Sequence, residues 1–299
     1  MKRLLFAILV SFSINISFAQ EWMTNLDVAE RLALVQNKLL VVVWQNSYYN
    51  GAPAYVNDGK GNQVFVENMY EEPVIDSLIW AHFIPVVLSE NAYPELYESI
   101  EMIGSSSSYL GKFKDDSLKV MDANGNILNI SEEKYLFNLS DFILKYSMDT
   151  SFLETQLTNY KSEKNFYSAF YLAAQYMDFA IFGKNAVRPE LVGLASIYLN
   201  EASGFLENES LENKPALKQR VDLLDIEKDL VLLKPKKVLR KLNKIKESEV
   251  EKVNANLRSF LYLASYKMLQ DEHNASMWES KVNALDKKKI MILIDNSSN

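Results

Sequence analysis

A mixed α/β unit followed by an all-helical one is the fold class this chain predicts. Three observations carry it. Two short apolar runs, Leu39–Trp44 and Phe83–Leu88, are separated by helical periodicity. An Asp-Ala-Asn-Gly-Asn segment, Asp122–Asn126, lies between two further apolar runs. From Thr150 strand signals thin out, and helical spacing dominates to about Leu285. The chain therefore divides into a leader (1–19), an α/β unit (20–148), a helical-hairpin unit (149–287) and a tail (288–299).

Lys2 and Arg3, the apolar run Leu4–Val10 and then Ser17-Phe18-Ala19 describe a secretory signal peptide cleaved after Ala19. The alternative, an uncleaved anchor, needs a longer uninterrupted run than Ser11, Ser13 and Asn15 leave. Export favours disulfides, yet the chain has no cysteine. That excludes disulfides, thiolate metal sites, cysteine nucleophiles and lipidation of an N-terminal cysteine. A mature chain of about 280 residues can fold without such staples. The expected location is an envelope compartment, the periplasm above all, with no transmembrane segment after the leader. Loss of Lys2 and Arg3 takes the net charge from −7 to −9, which argues against nucleic acid as a partner. A hydrophobic fraction of 48% places the chain among folded proteins.

Trp22–Asn37 reads as a helix capped by Asn25, with Asp27 in its first turn. Leu39–Trp44, six apolar residues of which three are β-branched, reads as a buried strand. Gln45, Asn46, Ser47, Asn50 and Gly51 then supply a turn. Tyr55–Gln63, with Asp58-Gly59 and Gly61-Asn62, reads as a loop. Pro73–His82 is an amphipathic helix, and Phe83–Leu88 a second strand whose Pro85 points to an edge or early position. Pro94–Ile103 reads as helical. Leu118–Met121 and Ile127–Ile130 form a hairpin around Asn124-Gly125. A last helix, capped by Ser131, turns Leu139, Phe142, Ile143 and Tyr146 inward.

These residues resemble a family. Trp22-x-x-Asn25, Ala29, Ala33 and Lys38 ahead of LLVVVW are similar to the entry of a secreted bacterial thioredoxin-like domain. Asp122-Ala123-Asn124-Gly125 is similar to its Asp-x-x-Gly hairpin, and Pro73-Val74 to Phe83 to the helix before its second central strand. The resemblance covers Trp22 to Met148, half the chain. Its working motif, Trp-Cys-x-x-Cys, falls here on Tyr48-Tyr49-Asn50-Gly51-Ala52. Tyr49 stands where the attacking cysteine would be and Ala52 where the resolving one would be. Val43 occupies the position of the assisting buried acid, and Asp116 that of the cis-proline. All four parts are replaced, so the resemblance implies a scaffold without exchange chemistry, with no catalytic residue and no cofactor.

Trp44, Tyr48, Tyr49 and Asn50 are the candidate binding residues, a patch of rigid amphipathic contact area. The bland reading makes Tyr48 and Tyr49 aromatics packed on the domain surface. Ser47 lacks a nucleophile-elbow pattern, and the two histidines, His82 and His273, lack metal-ligand spacing.

The helical half reads as helices over 151–160, 165–182, 189–207, 215–233, 235–246, 249–269 and 274–286. Pro189, Pro215 and Pro235 sit near starts. Pairs recurring at this spacing resemble tetratricopeptide (TPR) repeats, with Tyr266 and Ala275 keeping the separation of that repeat's tyrosine and turn alanine. Lys234–Lys246 is either a solvated basic face or a contact for an acidic partner or anionic lipid. The tail, KKKIMILIDNSSN, is expected at a sheet edge or as a loose end.

Two functions follow. One is a redox-inactive, thioredoxin-like protein-binding or scaffolding module, with a helical-repeat interaction domain offering a concave surface to a partner, another envelope protein. The other is an envelope enzyme, such as an oxidoreductase using a partner's thiols.

Overall fold

The structure, a computed structural model, describes residues 21–102, 107–131 and 137–297. The expected leader lies outside them. Its first half is a mixed α/β region, its second half helical.

Asn25 caps helix α1 (Leu26–Gln36) by accepting the Val28 amide at 3.0 Å, and Asn37 ends it in the left-handed conformation. Strand β1 (Leu40–Trp44) is buried at every residue. A short helix α2 (Gln45–Asn50) follows at once. Strands β2 (Ala54–Asn57) and β3 (Gln63–Val66) then form an antiparallel hairpin where the sequence suggested only a loop. The Gly-rich tip at Asp58–Asn62 is the loop, and the alternating residues on either side pair. Helix α3 (Pro73–His82) leads into β4 (Ile84–Leu88).

Helix α4 (Tyr93–Met102) falls where helical spacing placed it. Helix α5 (Ser107–Lys114) was not foreseen, although its Tyr109 and Phe113 are one turn apart and both buried. Strands β5 (Lys119–Met121) and β6 (Ile127–Ile130) form the expected hairpin. Strand β7 (Phe137–Asn138) pairs parallel with β2. The next helix, α6, is Leu139–Tyr146, and its cap is Asn138, which accepts the Asp141 amide at 3.1 Å. Ser131 does not cap it; the Ser131 amide instead closes the hairpin onto the Leu118 carbonyl at 2.7 Å.

Among the described residues two sheets result, of order β4-β1-β5-β6 and β3-β2-β7. In the larger sheet β1 is parallel to β4 and antiparallel to β5. Pro85 is the second residue of the outer strand β4, and the backbone of Met23 bonds alongside it, donating to the Pro85 carbonyl at 3.0 Å.

Eight helices make the second half among the described residues: α7 (Glu154–Ser162), α8 (Phe166–Phe182), α9 (Arg188–Asn208), α10 (Lys214–Val231), α11 (Pro235–Leu242), α12 (Ala255–Met268), α13 (Glu272–Glu279) and α14 (Ala284–Ser297). Asn165 and Ser168 form a reciprocal capping box at α8. Pro189, Pro215 and Pro235 all occupy first-turn positions. Between α12 and α13, Gln270 takes a left-handed turn, Ala275 is buried, and Trp278 stacks on Tyr262 at 4.3 Å. Over its described residues, to Ser297, the tail is neither strand nor loose end but the close of α14, with Ile290 and Leu293 buried and Lys289 paired to Asp178 at 2.5 Å. None of the described helices is long and apolar enough to cross a membrane.

One continuous apolar core runs through both halves. At the joint, the Asp122 carboxylate is buried at the hairpin tip. Its Oδ1 accepts the amides of Asn124 and Asn126 at 3.0 and 2.9 Å. Its Oδ2 accepts the hydroxyls of Tyr176, on α8, and Tyr198, on α9. Beside it Glu30 of α1 pairs with Lys161 of α7. Lys184 donates to the Leu144 and Ser147 carbonyls at 2.6 and 2.8 Å, satisfying the end of α6. Glu190 pairs with Lys145 at 2.6 Å.

Candidate functional site

The end of β1 is where an open α/β sheet commonly places its chemistry. Trp44 is the last strand residue and the extended residue before α2. The Glu90 carboxylate accepts the Asn46 amide at 2.8 Å, so the acid of a neighbouring turn holds the start of α2. At the other end Gly51 has φ +72°, and a Cβ there would lie 2.8 Å from the Asn68 side chain. Asn68 occupies that space because its Oδ1 accepts the amides of Ala52 and Tyr70, at 3.3 and 3.2 Å. The exit from α2 therefore requires glycine.

Trp44 itself is buried. Its ring meets Phe113 edge-on at 5.6 Å and Tyr93 at 5.5 Å, with the Lys119 ammonium 5.5 Å from its centroid. Lys119 is buried too, and burial pushes its pKa down to about 8. It donates to the carbonyls of Asp115 and Ser117, tying that turn beneath Trp44. Trp44, Ser47, Asn50, Glu90, Tyr93 and Asp116 line a hollow of about 190 Å³.

Tyr48 is half-buried on the opposite flank, between Trp22 at 5.4 Å and Tyr70 at 5.0 Å. Beneath it the buried Asp76 accepts the Trp22 indole N–H at 2.8 Å. Burial raises the Asp76 pKa, partly offset by that hydrogen bond, and burial followed by the Asp76 charge raises that of Tyr48. Tyr49 stands out, 71% exposed, touching Tyr48 edge-on at 5.8 Å.

The structure thus brings Trp44, Asn50 and Asp116 to one hollow, places Tyr48 and Tyr49 on the adjoining rim, leaves Ala52 half-buried and encloses Val43 wholly within β1. Glu90, Lys119, Asn68 and Asp76, which organise this region, were not singled out from the sequence. Asp76 follows one helical turn after Glu72 in an apolar stretch, and Lys119 interrupts an apolar strand; those misfits are the signals that could have found them. His82 bonds to the Ser147 hydroxyl at 2.8 Å, and His273 is exposed on α13. The described residues include no cluster of His, Asp and Glu able to hold a metal ion. Chemically, the rim offers aromatic faces, amides and carboxylates for recognition.

No protein-family model matches the chain, and neither a curated protein nor a solved structure matches it significantly.

Proposed function

We propose that this chain is an exported protein-binding module: a thioredoxin-like domain without thiols, joined to a TPR-like helical array and acting on another envelope protein. The observation that carries the reading is the rim around α2. It pairs an exposed Tyr49 with the half-buried Tyr48, and the residues lining the adjacent hollow all belong to the first half. Support for the thioredoxin-like part comes from the parallel β1–β4 pair, the strand-to-helix step at Trp44–Gln45 and the approach of Asp116 to that step. Thiol–disulfide exchange needs a thiolate, and this chain has none.

A photo-crosslinking side chain at Tyr49 tests the reading in cells. A defined protein adduct is expected there, and none from the same group at Val253, which is 67% exposed on the helical half. Equal labelling from both positions would overturn it. Acceleration of insulin reduction by dithiothreitol would instead favour the oxidoreductase.

A further inference from the structure

The β2–β3 hairpin creates a surface that the α2 rim does not use. β3 is the outer strand of its sheet. Asp58 donates its amide to the Asn62 carbonyl at 3.0 Å, which sets the phase of the hairpin. With Val56 opposite Val64 and Ala54 opposite Val66, those residues direct their backbone groups to β2. The amides and carbonyls of Gln63 and Phe65 therefore point to the outer edge.

Outer strands are ordinarily blunted by proline, lysine or a bulge. β4 carries Pro85; β3 reads Gln63-Val64-Phe65-Val66 and carries neither proline nor charge. Val64 and Phe65 are 50% and 53% exposed. The hairpin is also pre-set: Asp58 Oδ1 accepts the amides of Lys60 and Asn62 at 2.7 and 3.0 Å, and the Ser140 hydroxyl accepts the Asn57 amide at 2.9 Å.

Beside this edge lies a groove of about 1120 Å³. Val64, Phe65 and Val74 give it apolar walls, and Glu67, Glu71 and Glu72 give it three carboxylates with no lysine or arginine among its lining residues. We propose that this edge and groove bind an extended, lysine- or arginine-bearing segment of another polypeptide, which adds to β3 as a further strand. Main-chain hydrogen bonds to Gln63 and Phe65 hold such a segment, alternate apolar side chains enter the groove, and its cations meet the glutamates. A second copy of this chain would bring an equally acidic wall, so the charge selects a different partner. The site is separate from the α2 hollow and shares only Asn50 with it.

The probes are a blocked heptapeptide alternating lysine and valine and its glutamate–valine counterpart, titrated against the whole chain by fluorescence anisotropy. The lysine peptide is expected to bind at least about tenfold more tightly. Hydrogen exchange should show new protection at residues 63–67. Glu71→Lys with Glu72→Lys, both on exposed positions, should invert the preference, and Phe65→Pro should abolish binding by removing an outward N–H. Equal affinities, no saturable binding, protection confined to other residues, or self-association through β3 would each overturn the proposal. Cross-linking from Tyr49 would survive that failure, so the two readings fall separately.

Discussion

Asp122 and Tyr176 meet at 3.0 Å across the joint between the two halves, the carboxylate at the hairpin tip accepting a phenol from α8. Tyr198 donates to the same oxygen, and its ring stacks on Tyr176 at 5.6 Å. Burial pushes the acid's pKa up, and the four hydrogen bonds it accepts push it back. Asp122→Ala leaves two phenols and two amides without their acceptor and should cost about 3–5 kcal/mol. Tyr176→Phe should cost about 1–2 kcal/mol. Urea unfolding followed by tryptophan fluorescence and by far-UV dichroism gives both values. Coincident transitions are expected for the unaltered chain, since one core serves both halves.

Glu227, buried on α10, is held protonated around neutrality: burial and the nearby Asp178 raise its pKa to about 8, against the pull of Lys289. Asp286 adds to the rise and Arg220 opposes it. A carboxyl raised in the folded state stabilises it below the ordinary value of 4.5, and that contribution is lost as pH climbs to about 8. The slope is about 1.4 kcal/mol per pH unit for a single such group. Urea midpoints should therefore fall between pH 5 and pH 8, and Glu227→Gln should flatten the fall. An unchanged slope in that variant would show that Glu227 ionises freely.

The proposed binding role would separate recognition, at Tyr49, from folding, at Trp44. Tyr49→Ala removes an exposed side chain and should shift stability by less than about 0.5 kcal/mol. It should weaken capture of the partner at least about tenfold. Trp44→Ala empties a buried site and should cost about 3–5 kcal/mol whatever its effect on binding. Thermal melts and affinity measurements on the same samples check both.

Gly51 and Gly59 both have positive φ, but only the first is crowded. Gly59→Ala, with open space around its Cβ, should cost about 1–2 kcal/mol. Gly51→Ala must also displace Asn68, which holds two amides, and should cost more, about 2–4 kcal/mol. Equal losses would mean that Asn68 moves freely.

Local pattern made much of this fold legible. Leu39–Trp44 and Phe83–Leu88 are short, continuous apolar runs, and Asn124-Gly125 demands a tight turn, so the strands of the larger sheet could be read directly. The second sheet was hidden because Asp58-Gly59 and Gly61-Asn62 advertise a loop more strongly than the four-residue strands beside them advertise pairing. The tail misled through its five-residue apolar run. Its helical signal lay in Asp286, Lys289, Ile290 and Leu293, whose spacing of three and four becomes decisive only with α8 and α12 to pack on.

That Asp116 lies near the end of β1 was implied only by the thioredoxin-like resemblance, and the partners of Asp122 were implied by nothing in the sequence. Tyr176 sits on a helix whose apolar residues run nearly all round and Tyr198 on the buried face of α9, and nothing local distinguishes a phenol that only fills space from one that serves a distant acid.

The unbroken core between β6 and α9 bears on how force and orientation pass through the molecule. Two modules on a flexible linker let their cargoes tumble, and gain only an effective concentration from being joined. Here the hairpin tip is pinned between two helices, so anything gripped at the first half is held at a set bearing to anything touching the second. The molecule is a bracket, not a leash.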